Sequence, residues 1–181
     1  MIDLEKQSKF HFKNAEEVID AIAYAYISGT NIGWDGTRNE CFYLLPDSID
    51  RSTGMEQRPK CDPNDPVSSC AVGVLLRKAG ITAEQLWDDG VRNEHMAHNI
   101  VTKYNITIAD WSAGRVTDFL QLCQYLHDRF AGSNLPNCSS SKALGSMFLL
   151  MGPSFIRASA EPNSEFTRSV RQAINTSFSA V

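Results

Sequence analysis

Arg115-Val116-Thr117-Asp118-Phe119-Leu120-Gln121-Leu122-Cys123-Gln124-Tyr125-Leu126-His127-Asp128-Arg129-Phe130-Ala131 reads as one helix. Val116, Phe119, Leu120, Cys123, Leu126 and Phe130 recur at three- and four-residue intervals, and Gly132 supplies the stop. An apolar stripe of this length needs partner helices to cover it. The chain offers several. Asn14 with Glu17 forms a capping box ahead of Val18, Ile19, Ile22 and Tyr26, and Gly29 closes that helix. Asn93 precedes a helix containing Met96, Ile100, Val101 and Tyr104. Ala143 to Met151 reads as a short helix, apolar on most sides, ended by Gly152-Pro153 and therefore expected at the centre of the core. A last amphipathic helix starts at Ser164 and uses Phe166, Val170, Ala173, Ile174 and Phe178. No βαβ alternation and no internal repeat interrupts this pattern. The expected fold is all-α, a single helical domain over residues 1–181 with room for one minor β-hairpin around 32–45.

The second informative stretch is Ser69-Cys70-Ala71-Val72-Gly73-Val74-Leu75-Leu76-Arg77-Lys78-Ala79-Gly80. It puts a cysteine at the start of a short apolar helix, with Ser68 or Ser69 expected as the cap and Gly80 as an αL stop. A thiol there meets the positive end of the helix dipole, which lowers its pKa and favours the nucleophilic thiolate. A buried cysteine that lets the helix end pack closely fits the same pattern. Upstream, residues 46–66 form a long polar loop with four prolines, and loops of that length are functional, mobile or inserted.

Charge and composition narrow the function classes. The 181 residues carry a formal net charge of −4, 43% apolar and 21% charged residues, which fits an ordinary folded domain. Lys and Arg are scattered, so general nucleic-acid binding is not expected. The longest apolar run, Met147 to Met151, is too short for a bilayer, and the first residues lack a signal pattern. Five cysteines, an odd number with Cys123 on a core face, point away from a disulfide framework. The expectation is a reduced, cytoplasmic protein without a cofactor.

Cysteine catalysis needs a base within reach of the thiol and a group to orient that base. The start of the Cys70 helix looks like that of papain-like cell-wall amidases, in which the histidine follows on a strand. Here His95, His98 and His127 all fall on predicted helices, and only His11 does not. Cys70 with His127 or His95 is therefore the alternative reading, and catalytic residues are otherwise expected to be none. His95 and His98 lie three apart on one helix face and form the alternative metal pair, yet no H-E-x-x-H or Cys-x-x-Cys accompanies them. His127 near a helix C-terminus is explained by the dipole alone. Trp34, Trp87 and Trp111 each stand beside an aspartate in turn or helix-edge segments, and are the candidate partner-binding anchors.

Cys70-Ala71-Val72-Gly73-Val74-Leu75-Leu76, with Cys41-Phe42-Tyr43 upstream and Phe119-Leu120-Gln121 through His127-Asp128 downstream, resembles a group of small phage, prophage and bacterial proteins. These share a C-A-[IV]-G-x-L helix and an F-L-x-x-L-Q-x-x-H-D helix. The resemblance covers about residues 14 to 131, and residues 132–181 form a helical extension beyond it. It implies a small helical domain of mobile-element origin and brings no catalytic residues with it. The functional expectation is a binding or inhibitor protein acting on a host protein or a small signalling molecule, with a cysteine-dependent hydrolase or transferase as the alternative.

Overall fold

The computed structural model describes residues 10–30, 32, 34–35, 40–41, 70–81, 96–133 and 140–178. The protein is mainly α-helical. In chain order the elements are β1 (His11–Phe12), α1 (Ala15–Ile27), β2 (Trp34–Asp35), β3 (Glu40–Cys41), α2 (Ala71–Lys78), α3 (Met96–Tyr104), β4 (Thr107–Ile108), α4 (Ala113–Ala131), α5 (Ser140–Ala160) and α6 (Glu165–Phe178). Strands β2 and β3 pair antiparallel, Trp34 opposite Cys41, and make the minor hairpin expected near 32–45. The 46–66 loop lies outside the described residues.

Helix starts follow local chemistry. Asn14 accepts from the Glu17 amide at 2.9 Å, and the Glu17 carboxylate reaches back to the Lys13 amide at 2.8 Å, one residue earlier than a regular capping box would. Ser112 caps α4 by accepting from the Arg115 amide, so this helix begins three residues before the apolar stripe does. Ser164 caps α6 by accepting from the Thr167 amide at 3.1 Å. The Thr167 hydroxyl also meets the carbonyls of Ala158 and Glu161, which fixes the turn between α5 and α6. At the far ends, Gly29 (φ +107°) and Gly80 (φ +81°) take the left-handed conformation that stops α1 and α2.

Helix α4 lies at the hub, with α2, α3, α5 and α6 packed around it. All six of its predicted core positions are buried. Tyr125 donates to Asn175 of α6 at 2.6 Å, and Phe130 meets Phe178 edge-on at 5.5 Å. The closest pair, however, is α1 with α5. A Cβ at Gly145 would fall 2.5 Å from the Ala23 carbonyl oxygen, and one at Gly152 would fall 2.9 Å from the Ile19 side chain. The pairing of 145 with 23 and 152 with 19 makes the two helices antiparallel. Above this seam Phe148, Tyr26 and His127 stack in sequence, each with centroids 6.1 Å from the next, so α5, α1 and α4 share one internal ring column.

Two features depart from the sequence reading. Helix α5 does not end at Gly152-Pro153 but continues to Ala160. Nor is it buried all round: Leu149 and Leu150 are 39% and 78% exposed. Pro153 faces solvent, where water can satisfy the carbonyl that its missing N–H leaves unbonded. The second feature is a parallel pairing of β1 with β4, His11 opposite Thr107 and Phe12 opposite Ile108. Two residues per strand carry no periodic signal, so the pairing was not legible. It ties the chain before α1 to the segment between α3 and α4. No described helix is long and apolar enough to cross a membrane.

The two glycines of α5 should respond differently to alanine. Gly145→Ala sets a methyl group against backbone and should cost about 1–3 kcal/mol. Gly152→Ala sets a methyl group 2.9 Å from the branched Ile19 side chain, and up to about 1 kcal/mol of helix propensity offsets part of that clash, so it should destabilise less than Gly145→Ala. Urea denaturation of both variants measures the difference.

Candidate functional site at the Cys70 helix start

Cys70 is itself the N-cap of α2, in place of the serines expected to cap it. Its backbone is extended (φ −81°, ψ 175°), and its Sγ accepts from the Gly73 amide at 3.3 Å. Sulfur is a weak acceptor, but the site has no water to compete with it, because Cys70 is 0% exposed. A second orphan donor of the helix start, the Val72 amide, points at Gln124 Oε1 of α4 over 3.5 Å. Gln124 Nε2 in turn donates to Asp128 Oδ1 at 2.6 Å. Asp128 Oδ1 also meets His127 Nδ1 at 3.1 Å. A carboxylate only accepts, so Nδ1 carries the proton in this arrangement.

The spacing on α4 explains the cluster. Gln124 and Asp128 are four apart, as are Cys123 and His127, so the two pairs share the helix side that meets α2 and α1. Cys123 is fully buried, and burial pushes its thiol well above the ordinary range, away from thiolate. His127 is also 0% exposed, held between the Tyr26 ring and the Asp128 carboxylate. The motif that sequence reading singled out is thus assembled in space, linked as Val72–Gln124–Asp128–His127. What it builds is a buried clamp between the start of α2 and α4. The hydrogen bond of the Cys70 thiol goes to Gly73, and no described histidine hydrogen-bonds to it.

The remaining sequence candidates are dispersed. Trp111 is half-buried, edge-on to Phe119 at 5.5 Å, with the Arg115 guanidinium 3.8 Å above its ring. Arg115 in turn donates to the Ile156 carbonyl, so this tryptophan fastens the start of α4 to α5. Trp34 sits in β2, and Trp87 lies outside the described residues. His98 is exposed on α3 while His95 lies outside the described residues. Among the described residues no three His, Cys, Asp or Glu side chains come together as a metal group.

Sequence reading missed the outward-facing apolar residues. Tyr24 is 56% exposed on α1, beside an open groove of about 580 Å³ against α2 that Asp20, Thr30, Val74, Arg77 and Lys78 help to line. Leu149 and Leu150 are exposed on α5. The signal for the leucines was present but hidden. Once the helix is extended to Ala160, Lys142, Ser146 and Arg157 fall on the same face as Leu150.

Removing the clamp should cost stability rather than chemistry. Gln124→Leu leaves a buried amide without an acceptor and should destabilise by about 1–3 kcal/mol in urea titration. Gln124→Glu keeps an acceptor for Val72 but faces Asp128 with a second carboxylate. One of the pair should then titrate above its unfolded value, so stability should be present at low pH and lost as pH rises through that folded pKa. Iodoacetamide should label Cys70 and Cys123 slowly in the native protein and fully in denaturant, read by mass spectrometry of the two peptides.

No family model, curated protein or solved structure matches this chain.

Proposed function

We propose that the chain is a non-enzymatic binding protein that docks onto another protein through its outer helix surface, in the manner of an inhibitor. One contrast carries this reading. Among the described residues, the cysteines Cys70 and Cys123 and the candidate base His127 have no exposed surface, while Tyr24, Leu149 and Leu150 face solvent. A nucleophile needs its base and its substrate within reach. Cys70 Sγ instead accepts from the amide three residues on, and this supports a structural role for it. Large apolar side chains held outside a rigid scaffold are what protein interfaces use as anchors.

The tightly packed α1–α5 seam supports the same view, because an outer face mounted on it is presented in one conformation and loses little entropy on docking. The partner envisaged is a host protein, in keeping with the mobile-element resemblance in the Cys70 and Phe119–Asp128 helices.

A photo-crosslinking side chain placed at position 150 and, as a control, at the exposed Thr102 of α3 tests the proposal in the native cell. A discrete protein adduct is expected at 150 and not at 102. Cys70→Ser, which keeps a cap acceptor, should leave that adduct unchanged. Absence of an adduct both at 150 and with the probe at 24, or its loss in a folded Cys70→Ser variant, would overturn the reading.

A further inference from the structure

The outer face of α5 is cationic at both ends and apolar in the middle. Lys142, Ser146, Leu150, Pro153 and Arg157 follow one another at intervals of four, four, three and four, and all are exposed, with Leu149 alongside. Helix α5 contains no aspartate or glutamate, although the chain as a whole carries a charge of −4. Among the described residues no carboxylate forms an ion pair with either cation. Arg157 lies over the Phe166 ring at 4.2 Å, and Glu161, four residues on, leaves it unpaired.

We propose that this face docks an acidic amphipathic helix of another protein, whose apolar stripe covers Leu149 and Leu150 and whose carboxylates meet Lys142 and Arg157. At a rise of 1.5 Å per residue the two cations stand about 22 Å apart, so the partner needs acidic residues roughly four turns apart, flanking its apolar stripe. The inference deepens the binding reading above and rests on it.

Charge argues for a partner over a second copy. An antiparallel pair of α5 faces centred on Leu150 sets Lys142 against Arg157, and a parallel pair sets each cation against itself. Both arrangements oppose like charges. The acidic residues of α1 in another molecule, Glu16, Glu17 and Asp20, fall within about one turn and cannot reach both cations.

The test uses the full-length protein and three synthetic helical peptides that share one leucine stripe, flanked by Glu, Gln or Lys. Fluorescence anisotropy should show the Glu peptide binding about fivefold tighter than the Gln peptide and losing that margin as salt is raised. The Lys peptide should bind weakest. Leu150→Asp should abolish binding, and Lys142→Glu combined with Arg157→Glu should invert the order in favour of the Lys peptide. Lys142→Glu alone, which leaves the Phe166 contact intact, should erase most of the Glu preference. Equal binding of the Glu and Gln peptides, an order that charge reversal leaves unchanged, or no binding at sub-millimolar peptide would overturn the proposal. So would concentration-dependent self-assembly in light scattering that Leu150→Asp removes, which would assign the face to a second copy. A crosslink at position 150 combined with charge-independent peptide binding would reject the acidic helix while leaving the docking function standing.

Discussion

The close approach of α1 and α5 is the constraint on which the rest of the structure depends. Hydrogen atoms at Gly145 and Gly152 let the Ala23 carbonyl and the Ile19 side chain come nearer than any side-chain carbon would allow. That approach brings the Phe148 and Tyr26 rings alongside each other, 8° from parallel, and places Tyr26 where His127 of α4 also stacks on it. Three helices far apart in sequence are thereby set against one ring column. Packing at interior density leaves little room to adjust such a column piecemeal. Spreading the seam would move all three rings together.

The start of α2 is a second fixed point, and it rests on unusual chemistry. A helix whose N-terminus is buried must find acceptors for its first amides, or lose on the order of 1–3 kcal/mol for each one left unsatisfied. Cys70 supplies one acceptor from within the helix start, and Gln124 supplies another from α4. Gln124 can do so because its own N–H is taken by Asp128, whose side chain still touches water at 29% exposure. The chain of bonds therefore runs from a dry helix start to a carboxylate at the surface. The negative charge is kept where solvation is available, and only neutral groups are carried inward. Asp118, on the same helix, shows the cost of the alternative: partial burial raises its carboxyl above the usual range, against the opposing pull of Arg171.

Elements with a strong period and a good cap were legible from sequence. The Asn14 cap, the Val18–Tyr26 face, the Val116–Phe130 stripe and the Gly29 and Gly80 stops all stand where the residues place them. Cys70 was legible as a helix-start residue but not as the cap, because a thiol rarely takes that role and two serines precede it. Helix α5 was misread for a definite reason. Gly-Pro is a strong stop signal when only local conformation is weighed. In the fold, Gly152 is demanded by Ile19 on one side of the helix, and Pro153 stands on the solvent side, where water can reach the carbonyl that lacks its N–H partner. Tertiary contact reversed a local preference. The same misreading hid the exposed face, since a helix cut at Met151 shows Leu149 and Leu150 but not Arg157.

That exposed face follows from the seam behind it. The glycines fix the rotation of α5 about its axis, because only at one angle do both of them meet α1. With the inner face so committed, Leu149, Leu150 and Pro153 are held on the outer side of the helix. Leu150, at 78% exposure, adds helix propensity but little to the core. Under the proposed docking role that exposure gains a use, since an apolar anchor on a helix that cannot rotate would meet its partner already oriented. The constraint that builds the core therefore also presents the surface.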